Sequence, residues 1–139
     1  MWKRGTYAEI DPMIAKVREY AEASGAGVDG RPTFICHETP RQAVKANEEA
    51  SADVEVVIPV SNVVDGEGDI TCYELPGGQM AKIVHKGPYE QSARTYKKLF
   101  EWIAEHRKKV AGPTREVYLN DPREVSPEEI LTEIYAPIA

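Results

Sequence analysis

The chain has 139 residues, a length that suits one compact domain or two small modules sharing a core. Its hydrophobic content of 42% argues against disorder, and its formal net charge of -6 argues against a nucleic-acid-binding face, which needs clustered Lys and Arg. The start, "MWKRGTYAEI", lacks the apolar stretch of a signal peptide, and no run approaches the ~20 apolar residues of a membrane span. We therefore expect a cytoplasmic protein that contacts neither membrane nor nucleic acid directly.

The first half of the chain predicts the order strand, helix, strand, strand. "MWKR" gives at most a very short opening strand, so that sheet edge is expected to be open or covered by a protein partner or a second copy of the chain. The strands "RPTFICH" and "VEVVIPV" follow the helix, and the polar, alanine-rich residues 38–52 between them predict a loop with at most a helical turn. The helix should end near residues 25–30, and its apolar stripe is Ile10, Ile14, Val17 and Ala21.

The second half predicts the same order of elements. "ITCYELPGG" is typical of a further strand ending in a Gly-Gly turn, and "QMAKIVHKG" of the opening strand. Pro88 opens a helix that Gly112-Pro113 ends. Its apolar stripe is Ala93, Tyr96, Leu99, Phe100 and Ile103. We place module one at 1–60, a linker at 61–68 and module two at 69–139, together forming a single domain over 1–139.

The two halves repeat one another in sequence. "KRGTYAEI" resembles "HKGPYEQS", "RPTFICHETP" resembles "GPTREVYLNDP", and "VEVVIPV" resembles "TEIYAPI". Three matches in one order are hard to attribute to chance. The paired residues are Gly5 with Gly87, Tyr7 with Tyr89, His37 with Tyr118, Glu55 with Glu133, and Pro59 with Pro137. A glutamate inside an apolar strand therefore occurs twice, although a carboxylate buried without a partner costs several kcal/mol.

The stretches "HKGPYEQ", "LFEWI", "GPTREVYLNDP" and "EEILTEIYAPI" resemble the GyrI-like effector-binding domain, which also ends AraC-type and MerR-type multidrug regulators. The resemblance covers nearly the whole chain. It implies an α+β fold of two tandem strand-helix-strand-strand (SHS2) modules with antiparallel sheets, pseudo-two-fold symmetry and a cleft between the modules. In ligand-binding members, a strand glutamate in the cleft meets amphipathic, often cationic molecules, and the matching residue is Glu133. Because the repeats consume the chain, we expect a stand-alone version without a DNA-binding domain.

Strand alternation sets the expected faces around this glutamate. Glu133 and Tyr135 should lie opposite an aliphatic face that packs against the helices, formed by Thr132, Ile134, Ala136 and Ile138. If "REVYL" pairs antiparallel with this strand, Tyr118 can share the face of Glu133. The candidate ligand-binding set is Glu133, Tyr118, Tyr135, Trp102, Glu55 and His37.

Each candidate also has a plain structural interpretation. Glu133 alone would be a solvated carboxylate or a surface salt bridge with a lysine, and the repeat and the resemblance favour the ligand role. Tyr118 could be a cross-strand packing residue, Trp102 a core edge or a cleft wall, and His37 a half-exposed polar residue. For Glu55 the ligand role and the structural role are equally favoured. Tyr89 is expected to pack at the strand–helix corner. The two cysteines, Cys36 and Cys72, lack a C-x-x-C or histidine-rich context, so neither a metal nor a cofactor is predicted, and whether they lie close together is left open.

We expect a small-molecule-binding protein for amphipathic, cationic compounds, acting as a sensor or by sequestration in drug response or transcription regulation. Tyrosine and tryptophan walls attract organic cations, and one carboxylate adds charge complementarity without a fixed geometry. The resemblance also implies an alternative, a hydrolase of strained cyclopropane-containing natural products that uses Glu133 as general base. The sequence itself offers no nucleophile–base–orienter set for this. A further alternative is an inhibitor of DNA gyrase.

Overall fold

A computed structural model describes the backbone of residues 1–139 and every side chain except those of Pro40 and Glu90. The chain divides into two units, Met1–Pro76 and Gly77–Ala139, which we call unit 1 and unit 2. Residues 61–76 therefore belong to unit 1 by their contacts. No described helix is both long and apolar enough to cross a membrane.

Unit 1 consists of three strands and two α-helices. In chain order they are β1 (Trp2–Gly5), α1 (Ile10–Ala23), β2 (Thr33–Cys36), α2 (Pro40–Glu48) and β3 (Ala52–Val57), with a short 3-10 turn at Tyr7–Glu9. The opening strand is present and has four residues, as short as the sequence predicts. The helix α1 buries Met13, Val17 and Ala21, so its inner face is rotated slightly from the predicted stripe.

The helix α2 lies where the sequence predicted a loop, and that prediction is wrong. The Thr39 hydroxyl accepts a hydrogen bond from the Gln42 backbone N–H at 3.2 Å, and the Gln42 side-chain oxygen accepts one from the Thr39 N–H at 3.1 Å. This reciprocal capping satisfies two backbone donors at the helix start. The signal was present in the sequence as a threonine followed three residues later by a glutamine.

In the sheet of unit 1, β3 is the central strand and pairs antiparallel with both β1 and β2. Val54 and Val56 are fully buried on one face of β3. On the other face, Glu55 lies directly opposite Trp2 on β1 and Ile35 on β2. The register thus places one carboxylate at the centre of this second face.

Unit 2 repeats this plan with one main helix. Its elements are β4 (Met80–Lys86), α3 (Ala93–Glu105), β5 (Thr114–Tyr118) and β6 (Leu131–Pro137), with 3-10 turns at Tyr89–Gln91 and Pro127–Glu129. The strand β6 is central and pairs antiparallel with β4 and β5. The core between α3 and this sheet is formed by Ala81, Tyr96, Leu99, Ile103, Ile134 and Ala136. The predicted inner face of β6 is therefore confirmed, and that of α3 is confirmed at Tyr96, Leu99 and Ile103. Phe100 is only partly buried, and Ala93, also on the predicted stripe, is exposed.

Apart from α2, the two units share the order strand, helix, strand, strand, each with its last strand in the middle, and the α+β fold class is confirmed. Glu133 lies opposite Val84 and Val117, as Glu55 lies opposite Trp2 and Ile35. The repeat of the two glutamates thus holds in the strand register. The two-fold relation of the modules and the cleft between them stay predictions.

Two details of the sequence repeat need correction. Cys36 pairs with Val54 and Tyr118 pairs with Thr132, the residues just before the two glutamates. The counterpart of Tyr118 is therefore Cys36, one residue before the predicted His37. The strand predicted at "ITCYELPGG" is also absent, since residues 71–79 form neither helix nor strand in the described chain. In this segment the Tyr73 side chain instead contacts Glu55 on β3.

Candidate functional site

Glu55 is the buried carboxylate of unit 1, with 7% of its side chain exposed. One of its carboxylate oxygens lies 2.8 Å from Nε2 of His37, and the other accepts a hydrogen bond from the Tyr73 hydroxyl. Burial and the hydrogen bond to Glu55 raise the pKa of Tyr73, so this phenol stays protonated and donates. Both carboxylate oxygens are thus held by short polar contacts that account for the burial of this charge.

An aromatic surface lies beside this carboxylate. The Trp2 indole stacks on the His37 ring, with 4.4 Å between ring centroids and 3° between ring planes. Trp2 is 53% exposed, so a large part of its apolar ring is open to solvent next to a buried acid. We call Trp2, His37, Glu55 and Tyr73 the Glu55 cluster. An exposed indole next to a buried carboxylate can take up the apolar and the charged part of an organic cation.

Two members of the Glu55 cluster, Trp2 and Tyr73, were missed from the sequence. Trp2 belongs to the stretch whose strand was predicted to be short or absent, so its face could not be assigned. Tyr73 reaches Glu55 across 18 residues from a segment without regular structure, and no local periodicity signals such a contact. Glu55 and His37 were both on the predicted list, and the structure brings them together.

Glu133 in unit 2 has a structural partner. Lys82 on β4 donates to its carboxylate at 3.1 Å, and the same Lys82 nitrogen lies 6.0 Å from the centroid of the Tyr135 ring. The hydrogen bond to Glu133 raises the pKa of Lys82, so the lysine stays charged. The salt bridge with a lysine, which is one of the plain structural interpretations of Glu133, therefore forms. Tyr135 does lie on the Glu133 face, as predicted.

Tyr118 and Trp102 lie away from Glu133. Tyr118 faces the same side as its partner Thr132, which is the side that α3 covers, and its ring meets that of Tyr89 edge to face at 5.5 Å between centroids. Trp102 projects from α3, is 46% exposed and stacks on His106. Because α3 packs on the face opposite Glu133, the expected shared face does not form.

The helix-facing side of the sheet in unit 2 carries polar groups in addition to the predicted Thr132. The Tyr96 hydroxyl donates to Glu116, and burial raises the pKa of that carboxyl even though the hydrogen bond opposes the rise. The buried His85 bonds the Thr95 hydroxyl at 2.7 Å and the Pro88 carbonyl at 2.9 Å. Among the described side chains, the buried Thr132 hydroxyl has no hydrogen-bond partner.

Comparison with known families identifies the class of protein that this fold defines. The chain matches the GyrI-like small molecule binding domain over residues 1–139 and belongs to that family. The predicted membership is confirmed. A sequence comparison with curated proteins finds no significant match.

Solved structures share the fold. The chain is similar to the EcmrR C-terminal domain, with a TM-score of 0.83, 20% identity, and coverage of 98% of this chain and 85% of that one. It is also similar to EcmrR in its DNA complex, with a TM-score of 0.82, 21% identity, and coverage of 99% of this chain but 52% of that one. A hydrolase encoded by lin2189 from Listeria innocua gives a TM-score of 0.51 at 13% identity, covering 99% of this chain and 84% of that one. At these identities the likeness shows the fold alone.

Proposed function

We propose that the protein binds amphipathic organic cations at the Glu55 cluster, as a sensor or by sequestration. The observation that carries the proposal is the contrast between the two repeated glutamates. Among the described side chains, neither a lysine nor an arginine forms an ion pair with Glu55, whereas Lys82 pairs with Glu133. The Glu55 carboxylate is contacted directly by an imidazole and a phenol, and the Met1 ammonium acts on it electrostatically without an ion-pair contact. A cationic ligand can place its positive charge directly beside this carboxylate.

The neighbours of Glu55 suit a flat or bulky organic cation. The exposed Trp2 ring offers an apolar face that attracts cations by about 0.5–2 kcal/mol. The Tyr73 hydroxyl occupies a carboxylate oxygen from a segment without regular structure, and a ligand can take its place there. We expect broad specificity, since neither the Trp2 ring nor the Glu55 carboxylate demands a fixed hydrogen-bond geometry from the ligand.

Calorimetric titration with tetraphenylphosphonium tests this proposal. Glu55→Gln keeps the size and the acceptor oxygen of the side chain and removes its charge, so affinity should fall by about 10- to 100-fold. Glu133→Gln is the matched control, because it makes the same change at the equivalent position of unit 2, and it should leave affinity unchanged. Loss of binding in Glu133→Gln with full binding in Glu55→Gln would place the ligand in unit 2 and overturn the proposal.

A second candidate is the hydrolase, favoured by the contact of Glu55 with His37. A carboxylate that bonds one ring nitrogen fixes the orientation of an imidazole, which can then accept a proton from water. Water attacking a strained cyclopropane would form a C–O bond and break a ring C–C bond, and the proton taken by His37 would pass to the released carbon. Incubation with a cyclopropane-containing compound followed by mass spectrometry should show a gain of one water, abolished in His37→Asn. An unchanged mass excludes this activity for the compound tested.

A further inference from the structure

A cavity of about 340 Å³ lies within unit 1, and of the Glu55 cluster only Tyr73 is among its described lining residues. Its walls come from the inner side of α1, from the chain that leaves β3, and from residues 60–75. The walls that the argument uses are Val17, Ala21, Ile58, Val64, Cys72 and Leu75. A volume of this size lies within the range of small-molecule sites in proteins, roughly 300–1,000 Å³.

Residues 60–75 form a roof over this cavity, and defined contacts hold the roof at several points. The Tyr20 hydroxyl on α1 donates to the Asp65 carbonyl, and the Tyr73 hydroxyl donates to Glu55 at the other end of the roof. Between them, Ile70 is buried, and its backbone exchanges hydrogen bonds with that of Glu67. The cavity is therefore a built feature with a tethered wall.

The lining determines which ligands can enter. Its side chains are mainly apolar, and among the described lining residues the single charged side chain is Asp65. Met1 also lines the cavity, but its ammonium group already donates to the Val56 carbonyl, and burial lowers its pKa. An anionic lipid or a phosphate ester would find no cationic side chain there, so burying its charge would be costly. An uncharged apolar molecule meets no such cost and gains from leaving water.

We propose that this cavity is a second binding site, for an uncharged, largely hydrocarbon molecule of one or two rings, separate from the cation site at Glu55. It does not depend on the proposed function, although Tyr73 touches both places. Occupancy would brace the roof, because the ligand would contact Val64 and Leu75 on one side and Val17 and Ala21 on the other.

Fluorescence titration with N-phenyl-1-naphthylamine, a neutral two-ring probe, tests the second site. The wild-type protein should bind it saturably. Val64→Trp fills the cavity with a larger side chain and should weaken binding about 10-fold or more. Val63→Trp is the matched control, because the neighbouring Val63 is 90% exposed, and its affinity should stay within about two-fold of wild type. Thermal melting of both variants checks that they fold.

Alkylation provides a second readout that needs no variant. Cys72 lines the cavity, whereas Cys36 lies on β2 and serves as an internal reference. Saturating probe should slow the reaction of Cys72 with N-ethylmaleimide several-fold and leave that of Cys36 unchanged, as read by peptide mass spectrometry. Absence of saturable binding, equal binding by Val64→Trp, or equal protection of both cysteines would overturn the proposal.

The same variants separate this proposal from the cation site. Val64→Trp should keep its affinity for tetraphenylphosphonium. Glu55→Gln should keep its affinity for N-phenyl-1-naphthylamine, because the glutamine oxygen can still accept the hydrogen bond from Tyr73. If Glu55→Gln loses both ligands, the two share one site and the second site does not exist. If cation binding fails and probe binding at Cys72 holds, the proposed function falls while this inference stands.

Discussion

The hydrogen bond from Tyr73 to Glu55 can be removed without disturbing the ring that carries it. Tyr73→Phe deletes only the hydroxyl donor. A hydrogen bond to a charged group contributes about 1.5–3 kcal/mol to stability. Because Tyr73 is 46% exposed, water can take over part of the donor's role. We expect Tyr73→Phe to lower the free energy of unfolding by about 1–2 kcal/mol.

The same variant should bind tetraphenylphosphonium more tightly. In the wild-type protein the cation competes with the Tyr73 hydroxyl for the Glu55 carboxylate, and in the variant it does not. If binding no longer has to break a hydrogen bond that contributes about 1–2 kcal/mol, affinity rises by about 5- to 30-fold, since 1.4 kcal/mol is a factor of ten. Tyr20→Phe is the control, because it removes a hydrogen bond to the Asp65 carbonyl in the same segment and leaves Glu55 untouched. It should lower stability by about 0.5–1.5 kcal/mol and leave affinity unchanged.

Urea unfolding measures the stability of Tyr73→Phe and Tyr20→Phe, and calorimetric titration measures their affinity for tetraphenylphosphonium. A fall in affinity for Tyr73→Phe would mean that Tyr73 contacts the ligand instead of competing with it. Unchanged stability would mean that the hydrogen bond to Glu55 does not form in solution. The raised pKa of Tyr73 adds a pH test, because its contribution is complete below about pH 10, the unfolded value, and is lost as pH rises further. The stability difference between wild type and Tyr73→Phe should therefore shrink above that pH.

Three further predictions concern unit 2. Leu99→Ala should lower the free energy of unfolding, measured in urea, by about 2–5 kcal/mol. Phe100→Ala should lower it by less than the roughly 3–5 kcal/mol of a fully buried aromatic, because the Phe100 side chain is only partly buried, and a loss as large as that would contradict the packing of α3. Because the pKa of Glu116 is raised in the folded protein, its stabilising contribution is complete below the unfolded pKa of about 4.3 and is lost as pH rises. The stability of Glu116→Gln relative to wild type should therefore increase from pH 4 to pH 7, and a stability difference that does not change with pH would contradict this. Thr132→Val removes an unpartnered buried hydroxyl and should raise stability by about 1 kcal/mol, whereas a lower melting temperature would reveal a partner.

The parts of the fold predicted from sequence are those with regular local periodicity. The stripe of α3 and the alternation of β6 extend over enough residues for 3.6- and two-residue repeats to be recognised. The helix α2 was missed because its evidence is a capping pattern at one end, in a segment with few apolar residues. The strand predicted near Tyr73 had suitable residues but forms no ladder with the strands of either unit.

The site was harder to predict because it depends on register and on contacts distant in sequence. The sequence could not choose between two faces for Tyr118, and the pairing of Tyr118 with Thr132 settles it away from Glu133. The ligand role of Glu133 was inferred from the sequence repeat and the family resemblance, and both are identical whether a lysine is near or not. Lys82 reaches it from a strand 51 residues earlier in the chain, at a distance that only the pairing of β4 with β6 defines.

The two repeated glutamates should respond differently to dissolved salt. Lys82 is half-exposed, so its attraction to Glu133 acts largely through water, where ions at physiological strength screen charges over about 8 Å. Glu55 is held by a phenol and an imidazole at short range inside the fold, where mobile ions have little access. Concentrated sodium chloride therefore loosens the pair in unit 2 while leaving the Glu55 contacts in place. Ionic strength thus acts as a selective perturbation of one copy of the repeat, without any mutation.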